Sequence, residues 1–293
     1  MPEAIGPTHA ALFPYLIPNT KTIRNQYDRR EAHSYGPEPR QELDVYYPHE
    51  YDDRTPALLF LFGGGFFRGD KRNPEHPDLV YANLGGFFSG GVCNKGFITV
   101  VANYRLSKGP GGIGGNAIYP SGGEDTALAL DWITETFGKK RRVFVMGHSS
   151  GGTHVLTYLL EPSIRNSIDV NLAGVILLSP PCHQRGADPR RITINIDYYG
   201  DETAVEKYSP IGLLLEFGPV STPLLTMIAE FEEPGIIQSW GDFKLEYQKL
   251  GGKCDEIINN AHNHISAMVS LNSVEPAGSK WGNDVIEWML RQS

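Results

Sequence analysis

The chain has 293 residues, 40% of them hydrophobic, and a formal net charge of −8 at pH 7. That length can bury one large core, so one domain over residues 1–293 is expected, and the acidic balance offers no basic field to a phosphate backbone, which argues against a nucleic-acid partner. The longest apolar stretches, Ala57 to Phe62 and Gly174 to Leu178, are strand-sized and predict no membrane span; Met1 to Ala10 has no basic start followed by an apolar run, so a cytoplasmic location is expected.

In chain order, Gln41 to Tyr47 mixes charged with apolar residues and predicts an exposed antiparallel edge strand, with its β-rich part at Leu43 to Tyr47. Further strands are predicted at Leu58 to Phe62, Phe97 to Val101, Val143 to Met146, Val175 to Leu178, Leu224 to Ile228 and Glu256 to Ile258. Helical spacing falls between most of them, at Ala127 to Phe137, Thr153 to Leu160 and Ile236 to Leu250. Asp125 is read as the start of the first of these helices, with Trp132 and Phe137 as core contacts, and Gly251-Gly252 stops the last. Apolar strands alternating with amphipathic helices predict an α/β fold with a mostly parallel sheet covered on both faces. Cys182 to Pro210 interrupts the alternation with charged and aromatic residues and predicts a lid or cap segment, 182–210, after the Val175 to Leu178 strand. Cys93, Cys182 and Cys254 are widely and irregularly spaced, which fits neither a disulfide framework nor a zinc site and predicts reduced, structural thiols.

Two stretches carry chemistry. Gly147-His148-Ser149-Ser150-Gly151 lies between an apolar strand and a helix, the setting in which G-x-S-x-G presents a nucleophilic serine on a sharp turn. The glycine frame selects Ser149, because the residue two before Ser150 is His148. Gly63-Gly64-Gly65 follows the Leu58 to Phe62 strand, and consecutive glycines can expose backbone N–H groups to a developing oxyanion. The N–H groups of Gly64, Gly65 and Ser150 are the candidates, a flexible glycine turn being the plainer reading of the glycines alone. Gly109 to Gly114 formally satisfies G-x-G-x-x-G but contains Pro110 and runs into no helix, so it is read as a loop.

Taken with Leu43-Asp44-Val45-Tyr46, Phe62 to Lys71, Asn103-Tyr104-Arg105-Leu106, and Tyr119-Pro120 with Glu124-Asp125, these motifs resemble the α/β-hydrolase family, more closely its hormone-sensitive-lipase-like and carboxylesterase branches with a small cap. The resemblance implies a three-layer α/β-hydrolase sandwich. One departure is Phe62, where the branch usually has histidine, so packing must hold the glycine loop.

The resemblance also implies an acid after the seventh strand and a histidine after the eighth. Ala229-Glu230-Phe231-Glu232-Glu233-Pro234 is similar to the family's Ala-Glu-x-Asp-Pro pattern, and Glu232 is the matching position; Glu233 is its competitor, and a solvated acidic turn is the bland alternative. Late in the chain a base can come only from Asn260 to Ser266. There His264, directly before hydrophobic Ile265, matches the family and His262 is the alternative. A His-x-His pair can also bind a metal, but no cysteine or acidic cluster nearby completes a shell, so no metal is expected.

The activity implied is two-step acyl transfer on a small carboxylic ester, without a cofactor. An apolar, modest pocket is expected, walled by Phe66 or Phe67, Phe87 or Phe88, and Tyr198-Tyr199, with His148 beside the nucleophile. Kynurenine formamidases share the fold and triad but usually carry His-Gly-Gly-x-Trp where this chain has Phe62-Gly63-Gly64-Gly65-Phe66. A non-catalytic ligand-binding protein of the same fold is the third reading, disfavoured because a histidine is available. The acyl group, the leaving group and the oligomeric state, a homodimer included, are not fixed by the sequence.

Overall fold

A computed structural model describes residues 2–73, 76–91, 96–273 and 276–292; Cys93 lies outside them. Eight strands, β1 (Arg30–Ser34), β2 (Glu42–Tyr46), β3 (Ala57–Leu61), β4 (Ile98–Ala102), β5 (Val143–His148), β6 (Leu172–Leu178), β7 (Leu224–Phe231) and β8 (Asp255–Asn263), form one sheet in the order β1-β2-β4-β3-β5-β6-β7-β8. β1 pairs antiparallel with β2 and β2 antiparallel with β4; every other pairing is parallel. β3, β4 and β5 are buried along their whole length, which is why they read as unbroken apolar runs. Among the described residues no helix is long and apolar enough to cross a membrane.

β2 is antiparallel as expected but is not the edge. β1 covers it, and Arg-Glu-Ala-His-Ser has no apolar alternation to betray a strand, as suits an exposed edge protected by charge. The charges that made β2 read as exposed are paired: fully buried Asp44 takes Arg72 Nε at 2.6 Å and Nη2 at 2.9 Å, and exposed Glu42 takes Lys71 Nζ at 2.9 Å.

The helix expected from Asp125 begins a turn earlier, at Ser121, and runs to Phe137. Its Ser-Gly-Gly start disguises it. Gly122 is needed because any Cβ there would overlap the His154 ring of the adjacent Ser150–Leu160 helix. Asp125 is buried inside the helix and accepts hydrogen bonds from Gln41 Nε2 at 2.8 Å and from Arg105 N at 2.7 Å. Trp132 and Phe137 pack, half-buried, against the core.

Between β6 and β7 the chain forms three helices, Pro189–Tyr199, Glu202–Tyr208 and Pro210–Phe217. The first is started by Asp188, whose carboxylate accepts the N–H groups of Arg190 and Arg191, with Pro189 at its first position. A further helix, Pro2–Leu16, had no counterpart in the sequence reading.

Candidate active site

β5 ends at His148, a helix begins at Ser150, and Ser149 stands between them at φ 52°, ψ −125°, a conformation that a non-glycine residue holds only when its surroundings impose it. Its N–H is tied to the Leu178 carbonyl at 2.9 Å. The flanking glycines are steric requirements: a Cβ on Gly147 would lie 2.6 Å from the Gly152 Cα, and one on Gly151 would collide with the Leu61 and Phe62 carbonyls at the end of β3.

His264, one residue past β8, directs Nδ1 at both carboxylate oxygens of Glu232, 3.0 and 2.9 Å away, and both residues are buried. Its Nε2 is buried with no partner among the described residues. Burial alone would raise the Glu232 pKa, but hydrogen bonds from His264, Ser179 and the Glu233 N–H outweigh it and hold the carboxyl below its usual range.

The neighbouring candidates go elsewhere. Glu233 Oε2 lies 2.6 Å from Arg191 Nη2, Glu230 Oε2 accepts the Ala261 N–H at 2.7 Å, and His262 Nδ1 lies 3.0 Å from Ser266 Oγ. The solvated acidic turn therefore describes Glu230 only; Glu232 is 6% exposed.

His148 Nε2 lies 2.8 Å from the His264 carbonyl oxygen, so that nitrogen carries the proton and donates. Burial, helped by the nearby His264, pushes the His148 pKa down to about 3, and the ring stays neutral. The residue before Ser149 thus steadies the backbone at His264.

Phe62 is fully buried and stacks on Tyr104 at 4.8 Å and Tyr81 at 5.4 Å, while Tyr104 donates its hydroxyl to the Phe62 carbonyl at 2.9 Å. Packing does hold this loop. The expectation of three available donors changes, however: the Gly64 N–H donates to Ser150 Oγ at 3.0 Å, leaving the Gly65 and Ser150 N–H groups as those without an acceptor among the described residues.

Ser149, His264, Gly64, Gly65 and Ser150 line one cavity of about 1000 Å³, together with Phe66, Phe67 and His148 as expected. Tyr198 and Tyr199 do not line it. They pack behind Phe66, Tyr198 stacking on that ring at 4.6 Å and accepting the Gly122 N–H at 3.1 Å, so they support the wall from the far side. Phe88 is fully buried in the main core against Trp281, and Phe87 packs on the same core, so neither reaches the cavity. The cavity is also larger than the modest pocket expected, because Ile5 and His9 of the N-terminal helix and Arg190 to Asn195 of the first helix after β6 extend its walls. Arg68, Arg191 and these segments escaped the sequence reading; the Asp188-Pro189 start is the one signal that could have found the helix.

The BD-FAE family model matches residues 43–175, which hold the glycine loop and the serine but neither Glu232 nor His264. Esterase B1 of Culex pipiens is 26% identical over 155 residues, 48% of this chain and 26% of that protein. Para-nitrobenzyl esterase of Bacillus subtilis (strain 168) is 29% identical over 147 residues, 45% of this chain and 28% of that protein. The chain thus matches about a quarter of the length of these curated relatives. Among solved structures, esterase B from Lactobacillus rhamnosis superposes with a TM-score of 0.71 at 14% identity, covering 99% of this chain and 95% of that one. The hyperthermophilic esterase from Pyrobaculum calidifontis gives 0.69 at 17%, covering 96% and 92%. With this sheet order and a serine at the β5-to-helix turn, the chain has the α/β-hydrolase fold. In sequence, its likeness to esterases is confined to about half of the chain.

Proposed function

We propose that this protein hydrolyses carboxylic esters through an acyl-enzyme, with Ser149 as nucleophile, His264 as general base and Glu232 as the carboxylate that orients it. The observation that carries this reading is the His264 ring: Nδ1 is bonded to Glu232, which leaves the Nε2 lone pair unpartnered in the cavity that also holds Ser149. An imidazole so fixed can take the Ser149 proton as the hydroxyl attacks an ester carbonyl and return it to the leaving alcohol. The N–H groups of Gly65 and Ser150 then meet the oxyanion, and water, deprotonated by the same ring, releases the acid. No step needs a cofactor.

A cavity of about 1000 Å³ lies at the upper end of sites for drug-sized ligands, so the substrate range extends beyond the smallest esters. The helices after β6 and the N-terminal helix act as its cap. The test is hydrolysis of p-nitrophenyl esters of rising chain length, with N-formylkynurenine as the competing amide and a serine-directed phosphonate as label. Turnover of esters with labelled Ser149 supports the reading; formamide turnover alone, or binding without turnover, overturns it.

A further inference from the structure

This inference rests on the ester-hydrolase reading of the cavity and names a chemical feature of its substrate. The charged side chains on the wall are Arg68, Arg190, Arg191, Asp188 and Glu233. Asp188 caps the helix it precedes, and its carboxylate accepts two backbone N–H groups. Arg191 is neutralised by Glu233 at 2.6 Å, with side chains 13% and 22% exposed. Arg190 is already engaged.

Arg68 differs from both. It has no ion pair among the described residues, and its guanidinium carbon rests 5.3 Å from the centroid of the Phe67 ring. That ring is a fixed platform, since Phe67 is buried and packs so closely on Gly109 that no Cβ fits there. The Arg68 N–H donates to the Gly64 carbonyl at 3.2 Å, which ties the residue to the loop whose next member, Gly65, faces the cavity with a free N–H. In a chain of net charge −8, one exposed cation without an ion partner among the described residues thus stands in the wall of the mostly apolar cavity that Ser149 and His264 also line. A guanidinium on an aromatic ring keeps its fork free for a carboxylate.

We propose that Arg68, held on Phe67, forms an anion subsite, and that the preferred esters carry a carboxylate remote from the scissile carbonyl. One cation balances a monoanion, whereas a phosphate dianion would bring an unmatched charge into the cavity.

The experiment compares kcat/KM for monoethyl succinate with that for ethyl butyrate, which places the carboxylate on the acyl side, and for 3-butyryloxypropanoate with propyl butyrate, which places it on the alcohol side. The expected result is a preference for the acidic member of at least one pair by about tenfold, falling about tenfold in Arg68→Gln and shrinking as salt rises to 0.5 M. A ratio at or below one in the wild type, a ratio unmoved by Arg68→Gln, or a stronger preference for a phosphate-bearing analogue overturns the proposal. Two arms separate it from the ester reading. Turnover of neutral esters by the wild type tests that reading alone, and calorimetric binding of both pairs to Ser149→Ala tests the subsite without chemistry: tighter binding of the acid that is lost in Ser149→Ala/Arg68→Gln supports it, and equal binding of acid and neutral esters overturns it.

Discussion

Phe231 of β7 lies opposite Asn263 of β8, although two residues earlier Ala229 lies opposite Asn259, so β8 contributes four steps where β7 contributes two. Continued without that slip, the first register would set Glu232 beside His262. The slip sets it beside His264, with which it bonds. Ala261, at φ 62°, makes the irregularity, and the Glu230 carboxylate takes its N–H at 2.7 Å. A bulge next to a site re-aims a side chain, and here it decides which histidine meets Glu232.

The bulge can be tested directly. Ala261→Gly suits a positive φ and should keep turnover near that of the parent, while Ala261→Val forces a β-branched residue into that region and should lower kcat about tenfold or more. Steady-state kinetics on one p-nitrophenyl ester decides it; equal kinetics in both variants would show that the bulge does not position His264.

The same register predicts the ranking of the acids and of the histidines. Glu232→Gln should lower kcat by about a hundredfold or more with unchanged circular dichroism, and Glu230→Gln and Glu233→Gln should stay within about tenfold. His264→Ala should remove turnover and His262→Ala should retain a measurable part of it. If Glu233→Gln or His262→Ala proves the crippled variant, the assignment fails.

Around the nucleophile, Ser149→Ala should lose several orders of magnitude in kcat, and phosphonate should label Ser149 alone. Ser150→Ala keeps its backbone N–H but leaves the Gly64 N–H without its 3.0 Å acceptor. A neutral hydrogen bond that positions a loop is worth about 1 kcal/mol, so a loss of about fivefold in kcat with little change in KM is expected. Equal losses in the two variants, or labelled Ser150, would move the nucleophile.

Stability should depend on pH through two histidines outside the proposed proton relay. Burial holds His148 and His154 down at about 3, against an ordinary 6.5. Between those values the unfolded chain binds protons that the folded chain does not, so stability falls as pH falls through that window. From pH 7 to pH 5 each imidazole should remove about 2 kcal/mol. Urea unfolding at the two pH values measures the loss, and His154→Gln should recover about half of it; a midpoint that does not move with pH would contradict the buried neutral rings.

The parallel core and the sharp turn at Ser149 were legible in the residues because both are local. β3, β4 and β5 are buried on both faces and so are apolar at every position, and the turn at Ser149 needs Gly147 and Gly151 within two residues on either side. The sequence also determined that a histidine and a glutamate stood available after the last two strands, and that Phe62 would have to hold its loop by packing. It could not rank Glu230, Glu232 and Glu233, or His262 and His264, because neighbours in the chain differ only in which partner a distant strand brings to them. Nor could it reveal that Arg68 has no ion pair among the described residues, since that depends on Glu233 reaching Arg191 and on Gly109 fixing Phe67. Those choices were made by the register of β7 on β8 and by packing between elements far apart in the chain, where contact, and not composition, sets which charge is answered and which is not.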